Sequence, residues 1–412
     1  MVSGPFLLMD KSTFQGLGFK CLESLTRYYQ HRVSPILLRE ITSDLADEKK
    51  RDKNEAEWKR IIKELAAKTQ SSQSSVLPDA LTMATNELLA GTVIPMDGYT
   101  VPREFGVAVD TPETGRGIFF DEHPMMAILR NWAEGNFSAE DLQKAKAIRD
   151  EDAVDLVTLY HEVEKEQKAD KEAAVPKFLS LEEMVSYADE VRFFYATPRR
   201  EVFRVARHFF RDHTGHIGTV MRRWRQKGQP ALRYFAPYAM YVHRVEVIHY
   251  YSLLCGFVSR SKDGKAHLDI QYLYYLPFCH IFSSEDEDLK LLVPFFLRPD
   301  QVFVSKADLQ QDLKKLATYL EGLSEEEMTT FRDEYGLYPP DLENSFTTKM
   351  WKKFMRRRRP QEGKLSRPSP EREAEIMKEF RSVREAIEKK QAENFKRKQE
   401  GIGDGTNPPI NG

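Results

Sequence analysis

Two rhythms of apolar and polar positions alternate along this chain. Phe6 to Met9 form an unbroken apolar run that stops at Asp10. A second short run, Phe278 to Ser284, also leads into acids, Glu285 to Asp288. Short apolar runs bounded by polar turns predict buried strands. Elsewhere the spacing is helical: residues 15 to 31 carry a helical pattern, and Ser34 and Pro35 suit an N-cap and first helical position. Ile36, Leu37, Leu38, Ile41 and Leu45 then recur at helical intervals, and the helix is expected to continue to about Leu65. Glu40 and Asp44, four residues apart, share one face of it.

A Ser/Gln-rich loop is expected over 68–79, and the Gly, Pro and β-branched residues of 90–125 predict short strands and turns. Residues 125–175 return to charged helical patterns. Two long aromatic-rich helices are expected on either side of Lys227-Gly228-Gln229-Pro230, and another opens near Leu268 and stops before Pro277. A further strand is expected at 301–304, then an amphipathic helix ending near Gly322. These patterns predict an α/β protein in three parts: a discontinuous core of 1–50 and 185–322, a mostly helical insertion with short strands over 51–184, and a helical, basic and partly disordered C-terminal region over 323–412.

Composition narrows the picture slightly. In 412 residues, 62 Lys and Arg nearly cancel 64 Asp and Glu, so any affinity for a polyanion must come from local clustering. Cys21, Cys255 and Cys279 are odd in number and widely spaced, with no C-x-x-C pair, which argues against a disulfide framework or zinc ribbon and for a reducing compartment. No apolar run approaches the roughly 18 residues of a membrane helix. The expectation is a cytoplasmic protein without a membrane partner.

Candidate chemistry lies where the two strands end. In parallel α/β sheets ligands collect beyond the carboxyl ends of strands, so Asp10 and Asp286 are placed to converge although far apart in sequence. Asp269, near the start of the helix leading to the second strand, and Glu40 would complete a ring of four acids. Each has an ordinary alternative: Asp10 as a helix N-cap, Glu40 and Asp44 as a solvated face, and Glu285 to Asp288 as acids favoured by a helix dipole. His208, His213 and His216 fit no standard zinc spacing and have no Cys nearby. The glycines of 110–119 lack the spacing of a phosphate-binding loop.

A basic block accompanies the acids. Arg199, Arg200, Arg204, Arg207, Arg211, Arg222, Arg223, Arg225, Lys227 and Arg233 face only Glu201 and Asp212 between residues 199 and 233, interleaved with aromatic residues. Such helices suit a phosphate backbone and stacked bases, or else arginines that snorkel from an apolar stripe to solvent. Lys349 to Arg359 hold seven further basic residues and no acid.

The acids, in this order and context, resemble those of the PIN-domain nucleases. Asp10-Lys11-Ser12 matches the family's strand-end motif, Glu40 its helical Glu, and Asp269 its third acid; Ser284-Glu285-Asp286 matches the closing turn, with Asp286 17 positions after Asp269. The resemblance covers the first 45 residues and 185–320. It implies a three-layer α/β/α fold in which Asp10, Glu40, Asp269 and Asp286, supported by Ser12 and Ser284, bind Mg²⁺ or Mn²⁺ and act as the catalytic residues of an endoribonuclease, with RNA favoured over DNA. A protein partner or inhibitor is compatible with it, as is a catalytically inactive scaffold that binds nucleic acid or a protein. The sequence departs from the family in distance: Compact members place the third acid a few dozen residues after the Glu, whereas 229 positions separate Glu40 from Asp269 here.

Overall fold

The computed structural model describes residues 4–45, 55–69, 74–100, 107–111, 115–119, 124–147, 177–190, 197–210, 213–258, 269–355 and 378. The Arg356–Arg359 part of the basic tail cluster, Arg211 and the expected disordered end lie outside the described residues.

Five parallel strands make the central sheet: β1 (Phe6–Met9), β2 (Gln30–Val33), β3 (Ser74–Val76), and, counting β4 (Val107–Thr111) and β5 (Gly115–Phe119) of a separate hairpin, β6 (Ile281–Ser284) and β7 (Val302–Ser305). Their order is β3-β2-β1-β6-β7. β1 sits at the centre, pairing Leu7 with His31 of β2 and with Ile281 of β6. A parallel strand is covered on both faces, which explains why Phe6 to Met9 read as a continuous apolar run and are all buried. The chain thus belongs to the α/β class, with one parallel sheet among mostly helical elements.

β2 and β3 depart from the sequence expectations. β2 falls at the end of the stretch expected to be helical, and carries His31 and Arg32 inward, both almost fully buried. Burial of the guanidinium is offset by stacking 3.5 Å over the Phe6 ring and by a hydrogen bond to the Ser75 hydroxyl. β3 lies inside the expected Ser/Gln-rich loop, so the segment expected as an insertion supplies the sheet's edge strand. The helix expected to run from Pro35 to Leu65 is described as two pieces, α3 (Pro35–Leu45) and α4 (Glu55–Thr69), which follow α1 (Lys11–Gly16) and α2 (Phe19–Tyr28).

The remaining helices follow the apolar pattern more closely. They include α5 (Ala80–Ala90), α6 (Pro124–Ala133), α7 (Leu181–Asp189), α8 (Pro198–Phe210), α9 (Thr214–Gln226) and α10 (Pro237–Cys255). Beyond β6 come α11 (Glu287–Leu292), α12 (Lys306–Glu321), α13 (Glu325–Tyr335) and α14 (Phe346–Phe354). α2 packs on α12, and α10 on α5 and α7. The helix expected to stop before Pro277 instead includes it: residues 271–278 form a 3-10 helix, whose i→i−3 bonding leaves Pro277 without its own donor. Near the C-terminus, α14 is pinned to the core: Asp312 accepts from the Phe346 and Thr347 backbone N–H groups at 2.8 Å, and the Trp351 indole donates to the Tyr28 carbonyl at 2.7 Å.

The chain divides into two units, Met1–Pro102 with His123–Arg357, and Arg103–Glu122 with Arg358–Gly412. The sheet and its helices belong to the first; the antiparallel β4–β5 hairpin belongs to the second. No helix among the described residues is long and apolar enough to cross a membrane.

Candidate functional site

β1 and β6 are neighbours, and both end at acids. Where the sheet order reverses between them, the Asp10 backbone N–H donates to the Ser283 carbonyl at 3.1 Å and ties the two strand ends together. Asp10 is 3% exposed. Its Oδ1 accepts from the Thr13 backbone N–H at 2.8 Å; its Oδ2 accepts from the Ser12 and Ser284 hydroxyls at 2.8 and 2.6 Å. The Ser284 Oγ also accepts from the Asp286 backbone N–H at 3.0 Å. Asp286 in turn caps α11, accepting from the Leu289 N–H at 2.8 Å. Both acids therefore fill the N-cap role, and one hydroxyl joins the two caps.

Glu40 comes from α3 and is held on both sides. The Tyr272 hydroxyl donates to Oε2 at 2.5 Å, and the Lys11 ammonium lies 4.0 Å from Oε1 and 2.6 Å from the Asp44 Oδ2. Burial pushes the Glu40 carboxyl up to about 7, with Lys11 and the Tyr272 hydrogen bond opposing it. Asp269 is pushed up to about 8, first by burial and then by the charges of Glu40, Asp286 and Asp10. Burial also raises Asp286; Asp288 and Asp10 add to the shift, and the Leu289 N–H opposes it. Asp269 thus lies within electrostatic reach of Glu40, Asp286 and Asp10, and Asp10 within reach of Glu40 and Asp286.

This donor set is chemically suited to a hard divalent cation, being all carboxylate oxygen and self-repelling in its absence. Its spacing is more open. Among the described residues no group of three His, Cys, Asp or Glu is gathered in a way that could hold a metal ion. Asp10 and Asp286 are turned toward the helix N-termini that they cap, and Glu40 toward Tyr272 and Lys11. The histidines expected not to bind zinc pack as rings, His208 with His243 at 4.6 Å and His213 with His216 at 5.6 Å.

The basic block divides. α8 and α9 pack on each other; α8 buries Val202, Val205, Ala206 and Phe210, and α9 buries Ile217, Val220, Met221 and Trp224. That leaves Arg199, Arg200, Arg207, Arg222 and Arg225 exposed, while Arg204 is half-buried. Arg223 is not part of this surface: its guanidinium donates to the Glu87 carbonyl at 2.8 Å and to the Leu88 carbonyl, and lies over the Phe235 ring at 4.3 Å. It closes the C-terminus of α5, a structural task that a count of arginines does not reveal. A cavity of about 310 Å³ lies away from the acids, lined by Asp189, Glu201, Arg233, Met240 and Arg244; Arg244 is already committed to Asp189 and the Phe295 carbonyl.

Two site residues escaped the sequence reading. Lys11 directly follows Asp10, and Tyr272 stands three positions after Asp269, a helical step that sets both on one side. Those offsets were the available signal. No family model matches the chain, and neither a curated protein nor a solved structure is significantly similar to it.

Proposed function

We propose that this chain is a metal-dependent nuclease of PIN-like, three-layer α/β/α architecture that hydrolyses phosphodiester bonds, in RNA before DNA. The observation that supports the reading is the electrostatic proximity of Asp269 to Glu40, Asp286 and Asp10, the last two following the strands between which the parallel sheet reverses its order. Asp10, Asp269 and Asp286 are the residues that would hold Mg²⁺ or Mn²⁺, with Glu40 beside them. A bound cation would lower the pKa of a water and screen charge growing on the phosphate oxygens. Ser12 and Ser284 fix the Asp10 carboxylate; Tyr272 and Lys11 fix that of Glu40. The exposed arginines of α8 and α9 would bind the phosphate backbone.

The test is cleavage of single-stranded RNA and DNA with Mn²⁺ or Mg²⁺, and with chelator. Ion-dependent cleavage that disappears in Asp10→Asn and Asp286→Asn supports the reading; cleavage unchanged in both variants rejects it. The open spacing of the acids favours a second reading, an inactive PIN-like scaffold that binds nucleic acid or a protein partner. Under that reading, salt-sensitive RNA binding survives loss of the acids, and no ion stabilises the protein.

A further inference from the structure

The cavity beside α8 carries charges of both signs. Met240 and Arg244 lie one turn apart on α10 and line it together. Arg244 is locked in place: its guanidinium donates to the two Asp189 oxygens at 2.7 and 2.8 Å and to the Phe295 carbonyl at 2.9 Å, so this pair adds no net charge. The lining also includes Glu201 of α8, Ala231, and Arg233 of the short helix Leu232–Phe235. Glu201 is half-buried, and burial raises its carboxyl above its ordinary value, opposed by the Leu232 N–H that it accepts and by the charges of Arg204 and Arg233. Glu201 and Arg233 thus feel each other's charge, yet among the described residues neither is in a salt bridge; the Arg233 guanidinium lies over its neighbour's ring, 5.0 Å from the centre of Tyr234.

We propose that this cavity binds a small zwitterion, an α-amino acid with an apolar side chain, its ammonium on Glu201 and its carboxylate on Arg233. At about 310 Å³ the cavity sits at the lower end of the range of small-molecule sites, roughly 300–1,000 Å³, which suits a compound of amino-acid size and is too small for a polymer chain. The charges then select the class. A charge taken into a cavity costs free energy unless an opposite charge and hydrogen bonds meet it. A simple anion would meet Arg233 and be repelled by Glu201; a simple amine would meet Glu201 and be repelled by Arg233. A molecule with one charge of each sign satisfies both groups through charge-assisted hydrogen bonds, and Met240 and Ala231 offer an apolar surface to its side chain. Arg244, bound to Asp189, holds the α7 and α10 walls together. The cavity would serve this role whether or not the acids at the strand ends bind a metal.

Calorimetric titration of the full chain with L-valine, L-leucine and L-methionine is the test. The expected result is one molecule bound per chain for at least one of the three. With that amino acid, Glu201→Gln and Arg233→Gln should each weaken binding about 10-fold or more, the scale of a hydrogen bond between charged groups. The Gln amide keeps an oxygen for the Leu232 N–H, and Arg233 is exposed, so melting curves should show both variants folded; either one alone suffices for the comparison. Isopentylamine and isocaproate, which keep the leucine stem but lack its carboxylate or its ammonium, should bind about 10-fold more weakly than the amino acid or worse. Binding of none of the three amino acids, affinity unchanged in the folded variants, or isopentylamine or isocaproate binding as tightly as the amino acid overturns the proposal.

Discussion

The Ser284 hydroxyl donates a 2.6 Å hydrogen bond to the Asp10 carboxylate across 274 positions of sequence. The same oxygen accepts from the Asp286 N–H, so a single buried hydroxyl links the ends of β1 and β6. Ser284→Ala removes both contacts and leaves the Asp10 Oδ2 with Ser12 alone. A hydrogen bond to a charged group contributes about 1.5–3 kcal/mol, and the expected loss of unfolding free energy in urea lies in that range. Ser12→Ala, at a more exposed hydroxyl, should cost less; equal losses would show that the link between strands carries no special weight.

Asp10→Asn and Asp10→Ala separate capping from chemistry. Asn is an N-cap about as good as Asp, so the Thr13 hydrogen bond survives in the first variant and is lost in the second. Asp10→Asn should keep most of its stability and lose about 100-fold or more in ion-dependent cleavage, the scale of removing one group that stabilises transition-state charge. Asp10→Ala should lose activity and about 1 kcal/mol further in stability. An active, stable Asp10→Asn would mark Asp10 as a cap and nothing else.

Stability of the ion-free protein should fall with rising pH across the range set by Asp269 and Glu40. Their folded values, about 8 and about 7, lie above the ordinary carboxyl value near 4, so the native state binds more protons than the unfolded chain between those limits. Their stabilising contribution is complete at about pH 4 and is lost as pH climbs through 7 and 8. Mn²⁺ should raise the melting temperature more at pH 8 than at pH 6, because at pH 6 it must displace protons. Asp269→Asn should flatten the ion-free profile; a profile as steep as wild type would place the effect elsewhere.

His31 works in the opposite sense. Burial, then the charges of Arg32 and Lys68, lower its folded value to about 3, and neither ring nitrogen has a hydrogen-bond partner among the described residues. The unfolded chain therefore binds the extra proton below about pH 6.5, and stability is lost as pH falls from there toward 3. His31→Phe, which keeps the stack on Phe14 at 5.2 Å, should lose stability less steeply between pH 6 and 4.5 in melting experiments. An unchanged slope would exonerate His31.

The two kinds of arginine should respond differently. Reversing exposed Arg199, Arg207 or Arg222 to Glu should weaken RNA binding and lower the salt slope by roughly one unit for each lost phosphate contact, with melting temperature nearly unchanged. Arg223→Ala should instead destabilise by about 1–3 kcal/mol through the uncapped carbonyls of α5. Binding that is insensitive to the three reversals would remove α8 and α9 from the nucleic-acid surface.

Legibility in the sequence followed the chemistry of burial. β1, β6, β7 and the amphipathic helices show their apolar residues directly, because covering both faces of a central strand, or one stripe of a helix, needs few polar exceptions. β2 and β3 did not announce themselves. His31 and Arg32 are paid for by ring stacking and a serine on the next strand, and Ser74 and Ser75 are ordered by the sheet ladder rather than by their own propensity. The acids at the strand ends were visible one at a time, but their environment was not: Lys11 and Tyr272 matter through where their side chains point.

By itself, the sequence determined that β1 and β6 must be buried and that both run into acids able to cap the next helix, since these depend on neighbours within one or two turns. The tertiary structure decided that β1 and β6 lie side by side with Ser284 between their acids, that Glu40 and Asp269 face the same neighbourhood, and that Arg223 caps a helix while other arginines reach solvent. Those facts rest on pairing across hundreds of positions, where many arrangements satisfy the same local preferences and only packing of the whole unit selects one.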